Sequence, residues 1–151
     1  MNNLIITLQT LFCIGINYLL LSLNLWFLFP DIFLLHLLLM AATNIKYPKI
    51  YFFILQGFMI DLFFMEWVGP YTAIYFLSGL YLNFSIVRWI QKSLFIQLIY
   101  LALLSILLNL SIGLVEGFAL IDSRIFISTL WVCLLWMIIF ILQRDKWLKN
   151  I

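Results

Sequence analysis

Six apolar runs follow one another with little polar chain between them: Leu4 to Phe29, Asp31 to Asn44, Ile50 to Met65, Tyr71 to Val87, Leu94 to Val115 and Ile125 to Leu142. A water-soluble chain of this length has too little interior to hide so much apolar surface. Composition agrees, with 67% of the 151 residues hydrophobic and 9% charged, against roughly half and a quarter in soluble domains. A bilayer solvates outward-facing apolar side chains and leaves only the backbone to be satisfied, which helices do internally. The sequence therefore predicts an all-α, polytopic membrane protein with six transmembrane helices in one bundle, residues 1–151 forming a single domain.

The second and third runs are short. At 1.5 Å per residue they cover roughly 20 to 25 Å, less than the ~30 Å hydrocarbon core. They must borrow flanking residues, thin the bilayer, or turn back as a re-entrant hairpin. Charge placement favours spanning, because six crossings put Lys46, Lys49, Arg88, Lys92, Arg144, Lys146 and Lys149 on one side and leave Arg124 alone on the other. A hairpin would move Lys46 and Lys49 outward and spoil this positive-inside bias, so both termini are expected to be cytoplasmic. The acidic residues Asp31, Glu66, Glu116 and Asp122 then fall outside.

The first run is too long for a signal-peptide core, has no basic segment before it and ends without an A-x-A-like site, so it is expected to persist as a helix. Trp26 and Trp67 are expected at the outer headgroup level, Trp89 and Trp147 at the inner one, and Trp131 and Trp136 in packing positions.

Little in the chain suggests catalysis or cofactor binding. It has no HExxH, no GxSG and no second intramembrane aspartate to pair with Asp61. Cys13 and Cys133 lie inside apolar runs without metal or redox spacing and read as packing thiols. A net charge of +2 without a basic patch gives nucleic acid no footing. The expectation is a non-enzymatic protein with no metal and no cofactor.

Polar residues inside the runs mark the helix faces turned toward other helices. Asn3, Thr10, Asn17 and Asn24 recur every seven residues on helix 1; Ser105, Asn109 and Gly113 do so at four-residue steps on helix 5, and Gly79 and Asn83 on helix 4. These act either as interhelical glue or as the lining of a polar pathway. GLVEG at Gly113 to Gly117 matches GxxxG, but with Glu116 at the membrane edge the signal is weak. Asp61 needs the most explanation, since a charge at the centre of a spanning helix costs roughly 2.5 to 3.5 kcal/mol on insertion scales. Asp61 and the lone histidine, His36, fall at similar depth near the outer ends of adjacent helices. A His36–Asp61 hydrogen bond would offset that cost; the alternative is a neutral His36 bonded locally.

Several ordered signals coincide: Pro30-Asp31 opening helix 2, the basic loop IKYPK, Gly57-x-x-x-Asp61 followed by Gly69, and LWMIIFILQRDKW closing the last helix. Together these resemble the MreD family of rod-shape-determining membrane proteins. That family is similar in length and helix count, opens its second helix with P-D/N-x-x-L, and carries G-x-x-x-D-x-x-x-G-x-x-x-G at the third. Carried over by position, the family glycines are Gly57 and Gly69 and the aspartate is Asp61, while Met65 stands where the middle glycine would be. Lys46-Tyr47-Pro48 replaces a Pro-His-Arg-like triplet in the inner loop.

The resemblance implies an inner-membrane scaffold of the bacterial cell-elongation machinery. Its partners would be membrane lipid, an MreC-like periplasmic protein, the actin-like MreB and the peptidoglycan (cell-wall) synthases. Gly57, Asp61, Gly69, Pro30 and Asp31 would shape a partner surface at the periplasmic rim, with Lys46 and Lys49 at the inner headgroups. The family also resembles the six-helix substrate-capturing subunits (S-components) of vitamin transporters. On that alternative, Asn17, Asn24, Asp61 and His36 would line a polar cavity open to the outside.

Overall fold

The computed structural model describes residues 3–23, 31–43, 47–64, 69–116 and 123–149. Among these residues the chain is all-helical: α1 (Asn3–Ser22), α2 (Ile32–Thr43), α3 (Ile50–Phe64), α4 (Pro70–Phe84), a 3-10 turn (Trp89–Gln91), α5 (Leu94–Glu116) and α6 (Ser123–Lys149). Asn24, Trp26, Pro30, Lys46, Met65, Glu66, Trp67 and Asp122, all read from the sequence above, lie outside the described residues.

Three helices are long and apolar enough to cross a membrane, over Leu4–Ser22, Leu94–Leu114 and Ile125–Lys146. The chain is thus a membrane-embedded helical protein. With 12 and 15 residues, α2 and α3 reach only about 18 and 22 Å at 1.5 Å per residue. The shortness of α2 has a structural counterpart: Phe33, Leu34, His36, Leu37, Leu38, Met40, Ala41 and Ala42 are all buried in protein. A helix apolar on every side and enclosed by other helices has little of its length to match to lipid.

The C-terminal ends of α4 and α6 differ from those read in the sequence, while the end read for helix 1, Phe29, lies outside the described residues. α4 stops at Phe84 rather than Val87, because Ser85 turns extended (φ −72°, ψ 123°) while its N–H still donates to the Tyr81 carbonyl at 3.0 Å. The Ser85 hydroxyl then donates to the Val87 carbonyl at 2.8 Å, fixing the exit. α6 continues to Lys149, past Leu142, since Gln143, Arg144 and Lys146 are good helix formers and project into solvent beyond the apolar stretch.

α3 and α4 form the most closely packed pair, and α5 and α6 the next. A β-carbon built on Gly57 would lie 2.7 Å from the Thr72 Cα and the Tyr71 carbonyl oxygen, so the α3 and α4 backbones meet there. Gly79 makes a matching approach from α4, where a β-carbon would lie 2.9 Å from the Phe53 ring. Close contact through small residues is the main means of helix association where lipid removes the hydrophobic drive. α5 and α6 are joined by the Ser105 and Thr129 hydroxyls at 2.9 Å and by Gln97 and Trp136 at 2.8 Å. The polar face read on α5 thus holds at Ser105, whereas Asn109 donates to the Ser105 carbonyl of its own helix.

The tryptophans depart in part from their expected places. Trp136 is fully buried, as a packing role requires, but Trp131 is 44% exposed and faces outward. Trp89 lies at the basic end with its ring buried against protein rather than exposed. Its backbone N–H donates to the Tyr47 hydroxyl at 2.9 Å, and its ring lies edge-on to Tyr81 and Tyr100, which pull the turn into the bundle. Cys13 and Cys133 are free and half-buried.

Candidate functional site

The carboxylate of Asp61 is fully buried, one turn after Gly57 on α3, and its surroundings supply four donors. Oδ1 accepts the Tyr71 N–H at 2.9 Å, and Oδ2 accepts the N–H groups of Gly69 and Thr72, each at 2.9 Å, and the Thr72 hydroxyl at 2.6 Å. A helix leaves its first N–H groups without intrahelical partners, and the N-terminal end of its dipole attracts negative charge. Asp61 therefore acts as an N-cap supplied by a neighbouring helix. α4 needs such a cap: Gly69 at its N-cap position has no side chain to offer, and Pro70 starts the first turn. The close approach at Gly57 brings the two backbones within reach of this bond set.

Asp31 performs the local version of the same task. Its Oδ1 accepts the N–H groups of Phe33 and Leu34 at 2.9 and 3.0 Å, capping α2. Its Oδ2 accepts the Tyr71 hydroxyl at 2.8 Å. Tyr71 thus touches both signature aspartates, Asp61 through its backbone and Asp31 through its side chain. Tyr75, one turn further along α4, donates to the Phe33 carbonyl at 2.9 Å. Phe33, Phe64, Tyr71 and Tyr18 pack ring against ring around this junction, with centroids 4.9 to 5.4 Å apart. The Tyr18 hydroxyl donates to the Phe63 carbonyl at 3.2 Å and ties α1 to the same end of the bundle.

His36 is not part of the junction. Asp61 takes its donors from Gly69, Tyr71 and Thr72, while both His36 ring nitrogens are buried with no hydrogen-bond partner. The expected His36–Asp61 bond is absent because α4, not α2, presents donors to the carboxylate. Asn17 is half-buried. On the helix 1 stripe, Thr10 reaches a neighbour: it bonds the Gln56 carboxamide oxygen, and Gln56 Nε2 donates to the Thr7 hydroxyl at 3.3 Å. On α4, Asn83 donates to the Pro48 and Gly79 carbonyls at 3.1 and 2.9 Å.

The opposite end of the bundle is organised by Gln97. Its Nε2 donates to the carbonyls of Trp89 (2.9 Å) and Lys92 (3.1 Å), and its Oε1 accepts the Trp136 indole N–H. Lys92 donates to the Tyr81 hydroxyl at 2.5 Å. The Tyr47 phenol lies outside the helices at this end; burial raises its pKa above the ordinary tyrosine value, partly opposed by its bond from the Trp89 N–H.

Tyr71, Thr72, Gln56 and Gln97 escaped the sequence reading. Gln56 and Gln97 carried a signal, each being an amide inside an apolar run. Tyr71 and Thr72 carried none beyond Pro70, whose position after Gly69 marks a helix start. Among the described residues no cluster of histidine, cysteine, aspartate or glutamate could hold a metal ion. Comparison with protein-family models, curated proteins and solved structures gives no match for this chain.

Proposed function

We propose that the chain is a non-enzymatic scaffold in the inner membrane of a rod-shaped bacterium. It is similar to MreD, with six spans and both termini cytoplasmic, and joins an MreC-like periplasmic protein to the elongation machinery. One observation carries the reading: four of the positions on which the resemblance rests are parts of a single junction. Asp31, Gly57, Asp61 and Gly69 meet at the start of α4, linked through Tyr71. The basic turns gather at the other end, where Lys92 and Arg144 border one groove.

Because Asp61 is buried and fully engaged, the surface offered to a partner is the rim it fixes rather than the carboxylate itself. Co-purification with an MreC-type partner is the test. It should survive in the wild-type chain and weaken when the junction is loosened by Tyr71→Phe at constant protein abundance. Normal cell shape after depletion in a rod-shaped host overturns the proposal. The transport alternative requires Asp61 to face an open cavity, and the closed donor set around it speaks against that. A small molecule retained through purification would favour transport.

A further inference from the structure

A groove of about 610 Å³ opens at the basic end of the bundle, between the turn that precedes α5 and the last turns of α6. One wall is the segment with Lys92 and Leu94 and the other is α6 with Phe140, Ile141, Arg144 and Asp145, so each wall carries both charge and hydrocarbon. Two cations and one carboxylate on the lining, with hydrocarbon beside them, match a molecule whose head carries a phosphate and an ammonium and whose body is apolar. Lys92 is held in place by its bond to the Tyr81 hydroxyl, which uses one of its three N–H donors. The Arg144 guanidinium lies 5.6 Å from the ring centroid of Phe140, one turn earlier on α6. Its planar fork suits two phosphate oxygens. The candidate spans of α5 and α6 begin at Leu94 and end at Lys146, so a bilayer fitted to them would put the groove near headgroup depth.

We infer that this groove binds the headgroup of a phospholipid, its phosphate between Lys92 and Arg144 and a neighbouring ammonium at Asp145, so that phosphatidylethanolamine is preferred over phosphatidylglycerol. Phosphatidylglycerol offers the phosphate but nothing cationic for Asp145. This assignment depends on the membrane-embedded fold and is independent of the scaffold role.

Native mass spectrometry of the full chain, released from detergent with equimolar phosphatidylethanolamine and phosphatidylglycerol, tests it. The ethanolamine lipid should form the dominant single adduct, by about fivefold. Lys92→Gln and Arg144→Gln should each reduce that adduct severalfold, Lys146→Gln outside the groove should not, and Asp145→Asn should bring the two lipids level. Equal adducts for both lipids on the wild-type chain overturn the inference without reliance on any variant. So does a wild-type adduct that Arg144→Gln leaves unchanged. Inorganic phosphate is the other source of the same chemistry; if millimolar phosphate displaces the adduct completely, the groove is a free-anion site and the lipid assignment fails.

Discussion

A carboxylate in apolar surroundings is tolerable only where donors converge on it, and Asp61 has three backbone N–H groups and one hydroxyl. Hydrogen bonds to a charged group contribute about 1.5 to 3 kcal/mol each, so four of them exceed the insertion cost of the charge. Asp61→Asn keeps the shape but presents an amide N–H2 to groups that are themselves donors. It should lower stability by about 2 to 4 kcal/mol, read as a fall in unfolding temperature of the detergent-solubilised protein. His36 is the opposite case, a buried ring with two unpartnered nitrogens. Removing a buried polar group that has no bond to lose recovers its desolvation cost. His36→Leu should leave stability unchanged or raise it by about 1 to 2 kcal/mol in the same thermal scan. A fall would show that the ring has a partner. The sequence made both residues conspicuous for the same reason, polarity in an apolar run, and gave no means of telling the satisfied one from the unsatisfied one.

Helix pairing depends on a few close approaches. At Gly57 a β-carbon would meet the α4 backbone at 2.7 Å, and backbone cannot rotate away as a side chain can. Gly57→Ala should therefore push α3 and α4 apart, costing about 1 to 3 kcal/mol as overpacking does, and it should also weaken the Asp61 cap. Gly15 on α1 has nothing within 4 Å of its built β-carbon. Gly15→Ala should instead stabilise its helix by about 0.5 to 1 kcal/mol. Opposite signs in paired thermal-unfolding measurements check this directly. The sequence places Gly57 one turn before Asp61 on α3, and a glycine there leaves room for a neighbouring backbone. Which backbone approaches depends on how α4 packs against α3, and no residue pattern specifies that crossing.

Over the whole molecule, the two ends differ in kind. One holds Asp31, Asp61 and the ring cluster around Phe33; the other holds Tyr47, Trp89 and Lys92, with Arg144 across the groove. α1 runs alongside α3, with Thr10 beside Gln56 and Tyr18 beside Phe63, so its N-terminal end lies at the basic end. If all six helices cross, Lys49 and Lys146 face one compartment and Leu23, 65% exposed, faces the other. With Cys13 and Cys133 replaced by alanine, Lys49→Cys and Lys146→Cys should react with an impermeant thiol reagent only from the cytoplasmic side, and Leu23→Cys only from outside. Labelling of Lys49→Cys from outside would establish a hairpin in place of two spans.

The apolar runs alone pointed to a helical, membrane-embedded chain, because continuous apolar stretches satisfy their backbone in lipid as helices, whereas barrel strands alternate in polarity. They also located α2, α3 and α5 to within about two residues, since charge and turn residues bound those runs on both sides. The ends of α4 and α6 were less legible: an extended Ser85 shortens one, and a solvated charged tail that stays helical lengthens the other. What only the tertiary structure decided is the partner of each buried polar group. Asp61 is answered by Gly69, Tyr71 and Thr72, and Trp136 by Gln97. Those pairings depend on how helices cross in three dimensions, and hydrogen-bond donors on a backbone leave no mark in the identity of the residues that carry them.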